Sequence, residues 1–66
     1  MRYDIEFEQE EDGRWIAEIV ALPGVVAYGA TKTEAESKVE AMALRVLADR
    51  IEREKTTMTQ VLFASA

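Results

Sequence analysis

The sequence predicts an α+β domain of order β-β-β-α-β, an antiparallel sheet of three to four strands with one long helix packed on one face. Three observations carry this. Apolar residues alternate with polar ones at Tyr3, Ile5 and Phe7 and again at Trp15, Ala17 and Ile19, the period of two that puts one strand face on a core. Thr31-Lys32-Thr33-Glu34 matches a helix capping box and opens a stretch that meets no Pro or Gly. From Thr56 to Phe63 the composition shifts to β-branched and apolar residues, which argues for a last strand.

Along the chain, Gln9 to Gly13 is a polar turn whose Asp-Gly ending suits a positive φ, so the first two strands form a hairpin. Ile16 and Val20 fall on the other face of the second strand beside Glu18, a face more apolar than solvent contact requires. Pro23 has no N–H to give a ladder and Gly24 tolerates dihedrals other residues avoid, so the chain turns there before a third short strand, Val25 to Tyr28. Gly29-Ala30 closes it.

The helix is expected to run from Thr31 to about Glu54 on good helix formers. At 3.6 residues per turn, Ala35, Val39, Met42, Ala43 and Val46 gather on the face expected against the sheet. Leu44, Leu47, Ala48 and Ile51 form a second apolar stripe, covered either by the C-terminal strand or by another subunit. Self-association is assigned to Leu44, Leu47 and Ile51 with Val61 and Phe63 of the last strand. Glu34 with Lys38, Arg45 with Asp49, and Asp49 with Arg53 stand at ion-pair spacing.

Sixty-six residues make a single domain, 1–66, with no repeat, linker or C-terminal DNA-binding segment in view. A chain this short buries only about 60% of its unfolded surface, so a partner or a second copy is expected to add to its core. It contains neither Cys nor His, which removes disulfides, thiolate ligands and the commonest general base and zinc ligand. No run approaches the ~20 apolar residues of a membrane span, and a cytoplasmic location is the expectation. Eight basic and thirteen acidic side chains give a formal charge of -5, which disfavours nucleic acid and anionic membranes and favours basic partners.

The concentrated chemistry is acidic: Asp4, Glu6, Glu8, Glu10, Glu11 and Asp12. Three uses compete: solvation of an exposed sheet face, a docking surface for Arg and Lys, and a divalent metal site. Alternate strand residues lie about 7 Å apart, so a closed coordination shell needs ligands the sequence does not supply, and no metal or other cofactor is assigned. No phosphate loop, nucleophile elbow or metal-ligand pair is present, and no catalytic residue is assigned. Trp15 and Tyr28 lack the basic stripe that base stacking requires and are read as core or interface aromatics.

The run from Trp15 to Ala35 resembles HicB-type antitoxins. An aromatic and a small residue on the second strand lead into Leu22-Pro23-Gly24, then Tyr28-Gly29, then Thr31-x-x-Glu34-Ala35 opening the helix. The resemblance spans about Tyr3 to Glu54. It implies a partial ribonuclease-H-like fold and a partner, a small basic HicA-type toxin that cleaves messenger RNA. Inhibition would then be steric and electrostatic, with carboxylates at Asp4 to Asp12 meeting the toxin's Arg and Lys. Val25 and Ala30 stand where relatives often carry more polar residues. Many relatives add a C-terminal operator-binding domain, so autoregulation by this chain is not expected. The alternative is an orphan homo-oligomeric binding or structural domain that has no toxin. Gly13, Pro23, Gly24, Gly29, Thr31 and Glu34 are the expected turn and cap residues.

Overall fold

The computed structural model describes residues 1–65 and has the expected element order. Strands β1 (Arg2–Gln9), β2 (Trp15–Glu18) and β3 (Val26–Gly29) are followed by helix α1 (Lys32–Glu54) and strand β4 (Leu62–Ser65). The sheet order is β3-β2-β1-β4.

The β1–β2 turn is closed by Glu10 N donating to Arg14 O at 2.7 Å and Gly13 N donating to Glu10 O at 3.0 Å, with Gly13 at φ +93. This is a turn completed by a left-handed glycine, which sets the register Glu6 opposite Glu18 and Gln9 opposite Trp15. Between β2 and β3, Val25 N donates to Leu22 O at 3.0 Å across Pro23 and Gly24, and Gly24 has φ +83. Proline second and a positive-φ glycine third define a type II turn. Val25 belongs to this turn, so β3 begins one residue later than the apolar run suggests. Ile19, Leu22 and Val25 are all buried, and the connection is thus a plug for the core.

One expectation is corrected at β4. The first three strands are antiparallel as read, but β4 pairs parallel to β1, Arg2 opposite Leu62 and Ile5 opposite Ser65, so the sheet is mixed. The reason is the crossover. β3 runs in the direction of β1, α1 carries the chain back, and the next strand must run the original way at the free edge beside β1. The strand is also shorter and later than Thr56 to Phe63. The helix is about 34 Å long at ~1.5 Å per residue, against about 27 Å for β1, so residues 56–61 are spent returning from its overhanging end. The Met1 ammonium donates to Gln60 O and Leu62 N to Met1 O, both at 2.8 Å, joining the start of β1 to the start of β4.

Helix α1 lies across β3 and β2. Thr31, extended at φ -125 and ψ 162, caps it by accepting from Glu34 N at 3.1 Å. The reciprocal half of the box differs from expectation: the Glu34 carboxylate accepts from Lys38 Nζ at 3.1 Å and not from the Thr31 amide. The Arg53–Asp49 pair forms at 2.8 Å, so Asp49 faces Arg53 and not Arg45. The buried row is Ala35, Val39, Ala43 and Leu47. That is an i, i+4 ridge, which is inclined to the helix axis by roughly 26° and drifts around the helix as it crosses the sheet. By the fourth turn the drift buries Leu47, at 2% exposure, and leaves Val46 at 36%. Leu47 therefore leaves the expected self-association stripe for the core, and Val46 leaves the core face. Of the other stripe residues, Leu44 is 49% exposed, while Ile51, Val61 and Phe63 are half-buried.

Gly29 is buried where α1 begins. A Cβ there would stand 2.5 Å from Ala35 N and 2.9 Å from Glu34 Cβ. Gly29→Ala is expected to force the first helical turn off the sheet and cost about 1–3 kcal/mol, measured by denaturant unfolding. At the other end Lys55 closes the helix in the left-handed region, φ 53 and ψ 37, where glycine is the usual residue. Lys55→Gly is expected to raise stability by about 0.5–1 kcal/mol in the same assay.

Candidate protein-docking face

Helix α1 covers one face of the sheet, and among the described residues the other has no second layer. Its residues follow from the alternation along β1, where Tyr3 and Ile5 are buried and Asp4, Glu6 and Glu8 are exposed. Directly opposed residues share a face, so the register completes it. Glu6 faces Glu18, which faces Val26; Glu8 faces Ile16, which faces Tyr28; Asp4 faces Ala64 and Arg2 faces Leu62. The result is an acidic centre on β1 and β2 bordered by apolar edges. Val26, Tyr28 and Leu62 are exposed by 38, 46 and 58%.

The six sequence-assigned carboxylates separate into groups. Glu6 and Glu8 stand on the face without an ion pair among the described residues, whereas Asp4 is bridged by Arg2 Nε at 3.0 Å. Asp12 is committed to the hairpin, accepting from Arg14 N at 3.0 Å and Arg14 Nε at 2.9 Å. The backbone bond from Arg14, followed by its side chain, lowers the Asp12 pKa. Glu10 and Glu11 border Asp12 and, with Glu8, line a shallow depression at the hairpin end.

Glu18 was not among the assigned residues and lies on the same face as Glu6 and Glu8. It directly opposes Glu6, and like charges so placed repel and are relieved by a cation. Its position was accessible by counting outward from the turn: if Glu10 faces Arg14, Glu6 faces Glu18. Among the described residues no group of acidic side chains converges to hold a metal ion. Trp15 is half-buried against the core, with Lys32 Nζ 5.9 Å from its ring and 4.6 Å from that of Phe7. Tyr28 lies on the outer face with the Arg14 guanidinium 5.6 Å from its centroid. No helix is long and apolar enough to cross a membrane among the described residues.

The helix carries two contrasting carboxylates. Lys38 first, and the backbone bond at Ala30 second, lower the Glu34 pKa. Burial first, and the charge of Glu36 second, raise that of Glu40. A carboxyl whose folded pKa lies above its unfolded value stabilises the fold most when protonated, and that contribution is lost as pH rises through the folded pKa. Glu40→Gln is therefore expected to raise the melting temperature at neutral pH, the gain vanishing below about pH 4. Thermal melts of both proteins across that range check it.

No family model, curated protein or solved structure matches the chain.

Proposed function

We propose that this protein neutralises a small basic HicA-type ribonuclease by covering its RNA-binding and catalytic face. The observation that carries the reading is the opposition of Glu6 and Glu18 beside Glu8 on an uncovered sheet face with apolar borders. Two opposed carboxylates repel until a cation sits between them, and the arginines and lysines of an RNA-binding surface supply such cations. Ile16, Val26, Tyr28 and Leu62 then exclude water around the charged centre, which strengthens it. The sequence likeness of Leu22-Pro23-Gly24, Tyr28-Gly29 and Thr31-x-x-Glu34-Ala35 to HicB-type antitoxins supports this choice of partner. The chain acts as a binding protein in this reading, as a small homo-oligomer and without touching nucleic acid itself.

The test is capture of the protein from its own cells, followed by an RNA-cleavage assay on what co-purifies. A stoichiometric small basic ribonuclease whose activity stops when this chain is added back supports the reading. Recovery of the chain alone overturns it in favour of an orphan oligomer. With the ribonuclease in hand, Glu6→Lys combined with Glu8→Lys is expected to weaken binding at least about tenfold at low salt, and less at high salt. Calorimetry at two ionic strengths reads this, and an affinity unchanged in both would mean that the carboxylates only solvate the sheet.

A further inference from the structure

The sheet has two borders, and their strands are its least charged. β3 is Val-Ala-Tyr-Gly and β4 is Leu-Phe-Ala-Ser, whereas β1 between them carries three carboxylates and one Arg. Soluble proteins ordinarily protect open borders with charge, proline or a covering element, because unpaired backbone groups there attract another strand. Neither border has that protection in its own residues.

The backbone of β3 shows which groups are open. Ile19 N donates to Val25 O at 3.0 Å, and the register continues Glu18 opposite Val26, Ala17 opposite Ala27 and Ile16 opposite Tyr28. In an antiparallel pair the bonded residues alternate. Val25, Ala27 and Gly29 thus address β2, and the N–H and C=O groups of Val26 and Tyr28 point away from the sheet.

The two borders differ in what stands above them. The approach of Gly29 to Glu34 and Ala35 places the first turn of α1 directly over β3. There Lys38 and Glu34 neutralise one another at 3.1 Å. On the β4 side the helix presents Glu36, which accepts from Ser65 Oγ at 3.3 Å and has no cation bridged to it among the described residues. A second copy at β4 would bring two such carboxylates together, whereas at β3 it meets balanced charge.

We propose that the protein is a two-fold dimer in which β3 pairs antiparallel with β3 of a second copy, Ala27 on the axis, extending the sheet to eight strands. This register sets Val26 against the partner's Tyr28 and satisfies all the outward backbone groups of both residues. It joins a β-branched and an aromatic side chain on the outer face, a favourable cross-strand pair. The acidic faces stay open, one on each half, so the inference stands independently of the toxin reading.

Sedimentation of the wild-type chain is expected to give twice the chain mass at micromolar concentration. Tyr28→Pro removes an outward N–H without touching the β2 ladder and is expected to weaken the dimer at least about tenfold while the helical circular dichroism persists. Because the chain has no cysteine, Ala27→Cys supplies a second reading that leaves the turns intact and adds one sulfur at a half-buried position beside the core. Residues facing each other in a non-bonded antiparallel pair have Cα atoms about 4.5 Å apart, within disulfide range, so mild oxidation is expected to cross-link this variant and not Ala64→Cys. A monomeric wild type overturns the proposal, as does a folded Tyr28→Pro that dimerises unchanged. Cross-linking through Ala64→Cys in place of Ala27→Cys would overturn it by moving the contact to β4. If Tyr28→Pro does not fold, the cysteine pair decides.

Discussion

The approach of Gly29 to the Glu34–Ala35 backbone fixes the arrangement of the whole molecule. With no side chain at residue 29, the first helical turn rests directly on the end of β3, where a Cβ would stand 2.5 Å from Ala35 N. From that starting point the i, i+4 ridge of Ala35, Val39, Ala43 and Leu47 crosses the sheet, its two alanines keeping helix and strands close. The long axis of the molecule, 42 Å, exceeds the length of any strand because the helix continues past the sheet once the ridge has been used. Everything beyond that contact is return path, and the return path delivers β4 to the free edge of β1.

A single helix on one face leaves the opposite face to its own residues. Asp4, Glu6, Glu8 and Glu18 on that face are exposed and keep it hydrated, and they give it a negative potential. The helix supplies the contrast. Its pairs Lys38–Glu34 and Arg53–Asp49 are exposed and internally balanced, so the negative excess of the molecule is concentrated on the strands and on the Glu36–Glu40 flank.

The parts legible from the residues were those set by local chemistry. The Asp12-Gly13 turn, the Pro23-Gly24 corner and the Thr31 cap each need particular residues at particular dihedrals, so their positions could be read directly. The direction of β4 is implied by the element order, since β1 and β3 run the same way and one helix returns the chain; which of those two edges it joins was not legible from Leu62-Phe63-Ala64-Ser65. Helical periodicity alone could not rank Leu47 above Val46, since the choice depends on the angle at which the helix crosses the sheet. Glu18 illustrates a different gap: composition clusters residues close in sequence, whereas its neighbour Glu6 is brought to it by the hairpin register.

The parallel pairing of β1 with β4 joins residues about sixty positions apart, Arg2 with Leu62. During synthesis at about 5–20 residues per second, β1 therefore waits several seconds for the strand that completes its lower edge. For that interval a nascent chain presents an open strand to its neighbours on the same message. Asp4, Glu6 and Glu8 occupy alternate positions of that strand, so two such strands brought side by side repel, and the charges act as gatekeepers until β4 arrives. The carboxylates on the outer face of the finished sheet thus serve the chain before the fold is complete.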